Sequence, residues 1–108
     1  GDEEMTYKEL DERSNQLAIF LQKDGLSAGS LVAIYIERSH YMIISLLATL
    51  KSGAAYIPID PDYPQERIEN IIKDAQPTHI LSLSSLPKIS LETQCKTISI
   101  DQCWQKIM

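Results

Sequence analysis

Leu31-Val32-Ala33-Ile34-Tyr35-Ile36 is an unbroken apolar run, with no polar residue to mark a side that faces water. A strand with one wet face alternates. A run like this one belongs to a strand covered on both faces, which is the habit of parallel sheets flanked by helices. Upstream, Thr6-Tyr7-Lys8-Glu9 has the form of a capping box, the Thr hydroxyl serving the third helical amide and the Glu carboxylate returning to the cap. Leu10, Ser14, Leu17, Ala18 and Leu21 then recur at helical spacing, Ile19 and Phe20 widen that face, and Gly25 stands where a helix ends left-handed. Downstream, Ser39 is placed to cap a second helix reaching about Ser52, with Gly53 as its stop. Its apolar residues (Tyr41, Met42, Ile43, Ile44, Leu46, Leu47, Leu50) circle most of the helix, so it expects cover on several sides.

Ala54 to Ile59 reads as the next strand, and because Pro58 cannot donate to a ladder, that strand must end, bulge or lie at an edge there. Asp60-Pro61-Asp62-Tyr63-Pro64 is a stiff turn in which Pro64 suits the first helical position and Asp62 with Gln65 a second cap pair. The helix that follows runs to Ala75, points Ile68, Ile71, Ile72 and Ala75 inward, and is closed by Pro77. Thr78 to Leu83 is a third strand; after a Ser/Pro/Lys loop, Lys96 to Ile100 is a short fourth, and Asp101 is expected to cap a terminal helical turn through Trp104. The order α-β-α-β-α-β-β-α predicts an α/β fold with a mostly parallel sheet and right-handed crossover helices. Residues 1–108 show no repeat, no low-complexity linker and no internal boundary.

The 108 residues are 44% hydrophobic and carry a net charge of −5, which suits a soluble chain with one core. Acidic and basic residues are mixed, and no Lys/Arg cluster is dense enough for a phosphate backbone, so nucleic acid is not an expected partner. Cys95 and Cys103 are too few for a disulfide framework and too sparse for zinc, and are expected as free thiols in a reducing, cytoplasmic setting. Gly1-Asp2-Glu3-Glu4 lacks the pattern of a signal peptide, and Tyr41 to Leu50 is far shorter than the ~20 residues of a membrane span. A first residue of Gly rather than Met suggests that the chain lies inside a longer gene product.

In open parallel sheets ligands sit beyond the carboxyl ends of the strands. Gly25-Leu26-Ser27-Ala28-Gly29-Ser30 is the only Gly/Ser-rich loop, yet it runs from a helix into a strand, at the opposite end. It also lacks both phosphate-loop spacings, and so reads as an ordinary connection. Three segments do leave strand C-termini: Glu37–His40, Asp60–Pro64 and Ser84–Ser90. Glu37 and Arg38 offer charge to a ligand and His40 offers acid–base chemistry, but nothing at a supporting spacing accompanies them. Asp60 and Asp62 form a carboxylate pair able to hold a cation, though helix capping explains at least one of them. His79 opens a strand with no imidazole or carboxylate near it in sequence, as a structural histidine does, and Ser82, Ser84 and Ser85 lack the glycines of a nucleophile elbow. The residues specify a scaffold; none is assigned a catalytic, cofactor-binding or metal role.

Leu50-Lys51-Ser52-Gly53-Ala54-Ala55-Tyr56-Ile57-Pro58-Ile59-Asp60 resembles the second core motif of nonribosomal peptide synthetase adenylation domains, with Ser52 in place of the commoner Ala. Pro61 to Ile68 continues in that family's manner, Met5 to Leu10 resembles its Thr-Tyr-x-Glu-Leu element, and Arg13 to Ala18 follows its usual helix. The resemblance spans residues 4 to 83 and implies the N-terminal subdomain of an adenylate-forming enzyme of the AMP-binding superfamily. Such an enzyme activates an amino-acid carboxylate with ATP and Mg as the aminoacyl-AMP, then passes it to the phosphopantetheine thiol of a carrier domain. The family's phosphate loop, ribose-binding Asp and mobile Lys have no counterpart in these residues, so the implied parent is a ligase and this portion is expected to be inactive alone. Its expected partners are the remainder of the adenylation domain and the carrier and condensation domains. Two rivals stand beside this: a portion of an acyl- or aryl-CoA-type ligase, which more often shows Asn-Pro where Ile59-Asp60-Pro61 stands, and a stand-alone non-catalytic α/β binding or interaction module.

Overall fold

A computed structural model of the chain describes residues 5–89 and 95–107. The elements are α1 (Tyr7–Lys23), β1 (Leu31–Ile34), α2 (His40–Lys51), β2 (Ala55–Pro58), α3 (Gln65–Ala75), β3 (His79–Ser82), β4 (Lys96–Ser99) and α4 (Ile100–Ile107). They form one four-stranded sheet in the order β2-β1-β3-β4, parallel at every pairing. The expected order of elements and the α/β class are both found.

The apolar run that opens β1 divides its side chains between two cores. Val32, Ile34 and Ile36 pack with Leu17, Ala18 and Leu21 of α1, Ile44 and Ala48 of α2, and Ile107 of α4. Ala33 and Tyr35 pack on the opposite face with Ile68 and Ile72 of α3. The two-residue strand period therefore puts three helices on one face and one on the other, which is why no position in the run is polar. Tyr35 and Ile36 lie past the last paired residue but stay buried, and the Tyr35 N–H still donates to the Leu81 carbonyl at 2.9 Å.

Local signals place most element ends. Thr6 and Glu9 form the reciprocal capping box, and the Ser39 hydroxyl accepts from the Met42 amide at the start of α2. Gly25 and Gly53 take φ of 103° and 74°, a region that costs other residues strain. Pro58 is the last residue of β2 and lies on an edge strand, so two of the alternatives that its missing N–H allowed hold together.

Two expected helix starts differ. Pro64 is the residue before α3 rather than its first, and no side chain caps that helix, so the Asp62–Gln65 pair does not form. Asp60 does the work in this turn instead, its Oδ1 accepting the Asp62 amide at 2.9 Å. The other end of α3 is as expected: the helix runs to Ala75, and Gln76, with φ of 50°, is its left-handed cap just before Pro77. The last helix begins at Ile100 and runs to Ile107, so Asp101 lies inside its first turn rather than at the cap.

Lys51 at the end of α2 links the two longest helices. Its ammonium donates to Asp11 Oδ1 (2.8 Å), Ser14 Oγ (2.7 Å) and Asn15 Oδ1 (2.8 Å) on α1. The Lys-Ser-Gly step of the motif thus fastens a helix as well as ending it.

Candidate functional site

Two clefts open at the carboxyl ends of the strands, where a parallel sheet presents its ligand crevice. One, of about 450 Å³, lies past β1 and β2 and is lined by Glu37, Arg38, Met42, Asp60, Asp62 and Tyr63 among others. The other, of about 460 Å³, lies past β1, β3 and β4 and is lined by Tyr35, Ser82, Ser84, Lys88, Thr97 and Gln102 among others. The second sits at the switch point of the sheet, between β1 and β3, from which the chain winds in opposite directions.

The candidate residues divide between these clefts and the rest of the fold. Glu37 and Arg38 are exposed at the rim of the first cleft, whereas His40 stacks on Tyr41 (centroids 4.5 Å apart) and does not line it. Asp60 is occupied with its own turn, and the Arg67 guanidinium lies over the Tyr63 ring at 3.9 Å, which fixes one wall. In the second cleft Ser84 gives both its amide and its hydroxyl to the Asp101 carboxylate. Burial works to raise the Asp101 carboxyl, but the bonds from Ser84 outweigh it and hold the group below the ordinary range. Tyr35 is buried to 1% exposure, and burial pushes its phenol up. The end of the Ser84–Ser90 loop lies outside the described residues.

His79 gains a carboxylate that its sequence neighbourhood did not show. Its Nε2 lies 3.1 Å from Asp24 Oδ2 at the end of α1, and its Nδ1 lies 2.9 Å from Thr78 Oγ1. Lys96 Nζ donates to the other Asp24 oxygen at 2.6 Å. Burial acts to raise Asp24, and the hydrogen bonds from Lys96 and His79 overcome it, so its pKa is lowered. Thr, His and Asp in line invite comparison with a nucleophile relay. Here, however, the imidazole is 5% exposed at the amino ends of the strands, and the Thr78 hydroxyl also reaches the Leu31 carbonyl. The group is a clasp joining α1, β3 and β4.

The Gly25–Ser30 loop also lies at the amino ends. A Cβ added at Gly25 or Gly29 would meet nothing within 4 Å, so neither glycine clears space for a phosphate. Among the described residues no three His, Cys, Asp or Glu side chains converge as a metal set. No described helix is long and apolar enough to cross a membrane. Cys95 packs against the α3-side core and Cys103 against the other, so the sheet separates the two free thiols. Sequence reasoning missed the Asp24 clasp and the place of Tyr35; the one available signal was a tyrosine inside an otherwise aliphatic strand.

Comparison with known proteins extends the picture. Residues 1–106 match the family described as AMP-binding enzyme. Tyrocidine synthase 3 of Brevibacillus parabrevis is 49% identical over 86 residues, which are 80% of this chain and 1% of that protein. Among solved structures, holo-AB3403, a four-domain nonribosomal peptide synthetase bound to AMP and glycine, aligns with a TM-score of 0.82 at 33% identity, over 91% of this chain and 7% of that one. The N-terminal subdomain of Klebsiella oxytoca NpsA aligns with a TM-score of 0.87 at 29% identity, over 100% of this chain and 28% of that one. The chain thus spans a small part of each protein it resembles.

Proposed function

The chain belongs to the AMP-binding enzyme family, and from that premise we propose that it is the N-terminal portion of a nonribosomal peptide synthetase adenylation domain. The parent activates an amino acid as its aminoacyl-AMP at the expense of ATP and loads it onto a phosphopantetheine carrier. The observation that carries this reading is the conjunction of the Leu50–Asp60 motif with a fold that matches synthetase adenylation structures over nine-tenths or more of the chain. The bound AMP and glycine of holo-AB3403 agree with the reaction proposed.

Within that enzyme the described residues supply framework. No three metal-ligating side chains converge among the described residues, and the Gly25–Ser30 loop lies at the amino ends of the strands, which supports assigning none of these residues to Mg or to the phosphates of ATP. The nucleotide, the metal and the amino-acid pocket fall to the rest of the domain, and carrier and condensation domains are the further partners. A cytoplasmic location goes with this reading.

Pyrophosphate exchange by the protein that carries this chain tests the proposal. Exchange dependent on one or a few amino acids is the expected result. Exchange driven by fatty or aryl acids and by no amino acid would replace it with the CoA-ligase reading. A protein without exchange, whose 108 residues melt cooperatively and bind no dye for apolar surface, would replace it with the stand-alone module.

A further inference from the structure

Parallel strands covered by helices are apolar on both faces, and one end of this sheet departs from that pattern. β3 turns Ile80 into the α3-side core, Leu81 into the opposite core and Ser82 back toward α3's face. Ile98 of β4 enters the opposite core, so its neighbours Thr97 and Ser99 lie on the α3 face as well. Tyr35, just past β1, packs on that face too. Four hydroxyl side chains thus stand together toward the carboxyl ends of β1, β3 and β4, and all four line the cleft of about 460 Å³ at the switch point, where parallel sheets bind ligands.

Two of these hydroxyls are buried without being used. Tyr35 is 1% exposed and Ser82 is 6% exposed. The Ser82 hydroxyl meets only the Leu83 carbonyl, at 3.5 Å, beyond the range of a good hydrogen bond. The Tyr35 oxygen has no partner among the described residues, yet it is not sealed in as the Ser45 hydroxyl is, so it opens on the cleft that the residue lines. Burial pushes the phenol up, so it stays protonated and presents an O–H. Buried hydroxyls left unpaired are costly, which calls for a partner from outside the protein. The remaining walls define that partner. Leu86 and Ile89 give an apolar side continuous with the α3-side core. Among the described lining residues Lys88 is the one charge, and none is Asp or Glu. The Asp101 carboxylate, next in sequence to the lining residue Gln102, is already taken by the Ser84 amide and hydroxyl.

We propose that this cleft is a binding site for a small organic acid, one carboxylate on a compact apolar body. Lys88 meets the charge, the Tyr35 and Ser82 hydroxyls donate to the carboxylate oxygens, and Leu86 and Ile89 cover the hydrocarbon. With no free acidic group to receive an ammonium, an amino-acid zwitterion is a poor fit. The site is therefore distinct from a pocket for the activated amino acid, and the proposal stands apart from the adenylation reading.

Phenylacetate is the probe, with phenethyl alcohol and phenethylammonium as its uncharged and cationic counterparts. Each is titrated into the intact protein that carries this chain while NMR follows the methyl groups of Leu86 and Ile89. Saturable shifts with phenylacetate are expected, at least ~5-fold weaker with the alcohol and weaker still with the amine. Lys88→Met and Tyr35→Phe should each weaken phenylacetate binding at least ~3-fold. Without ligand, Tyr35→Phe should leave the melting temperature unchanged or higher, because it removes an unpaired hydroxyl. No saturable shift up to ~20 mM overturns the proposal, as does equal affinity for acid and alcohol. Shifts confined to other methyl groups overturn it too, by placing the acid in a different pocket. So does a Tyr35→Phe protein that melts lower and binds unchanged, which would give the hydroxyl a protein partner. Ser82→Ala, read in the same titration, gives the same decision if Tyr35→Phe fails to fold.

Discussion

At the scale of single residues, the side chains that fasten this fold are those whose partners lie far away in sequence. Lys51 reaches Asp11, Ser14 and Asn15 on α1, and the bonds to Asp11 and Asn15 are solvent-exposed. Lys51→Met should therefore cost about 1 kcal/mol in a urea titration, and an unchanged midpoint would contradict the linking role. Asp24 gives a pH signature. Its folded pKa lies below the ordinary 3.8, so its contribution is complete above that value and is lost as pH falls through the lower folded value. The stability gap between the native chain and Asp24→Asn should hold steady from pH 7 to about 5 and close in stronger acid. A gap that widens on acidification would reverse the sign. The Ser45 hydroxyl is buried without a hydrogen-bond partner among the described residues. Ser45→Ala is expected to be neutral or to stabilise by up to ~1 kcal/mol, and a loss greater than that in the same titration would reveal a partner.

At the scale of elements, what could be read from the sequence was what local spacing controls. The Thr6–Glu9 box, the Ser39 cap and the stops at Gly25 and Gly53 involve residues within four of one another, and each appears in place. The unbroken apolar run of β1 revealed a two-faced strand because burial on both sides leaves its mark at every position. Competition between similar residues was harder to resolve. Asp60 and Asp62 are both fit to cap, and the turn uses Asp60; Asp101 is fit to cap α4, but its carboxylate is drawn to Ser84 across the sheet end. The clasp could not be foreseen, since Asp24 and His79 are 55 residues apart and meet only through the strand register. Pro58 carries a prediction of its own. Ala55 and Ile59 donate toward β1, so alternation turns position 58 outward, where proline costs the ladder nothing and leaves the edge short of a donor. Pro58→Val should leave the melting temperature nearly unchanged while increasing self-association in light scattering; a large loss of stability without association would place that backbone group on the inner side.

At the scale of the whole molecule, 108 residues make two cores on one sheet, and the charged residues of the strand-end clefts are mixed in sign, Glu37, Arg38, Asp60 and Asp62 lining one and Lys88 the other. The candidate site was legible to the same extent as its local parts. The Leu50–Asp60 motif gave the family because it encodes a helix stop, an edge strand and a fixed turn in consecutive residues, whereas the clefts are assembled from loops that only the topology brings together. The central claim is that this chain is framework for an adenylating enzyme and that the nucleotide site lies in the rest of the domain. Calorimetric titration with ATP and Mg, on the intact domain and on the chain alone after circular dichroism has shown it folded, measures this most directly. Saturable binding by the intact domain and none by the folded chain is the predicted result; saturable binding by the chain alone would contradict it.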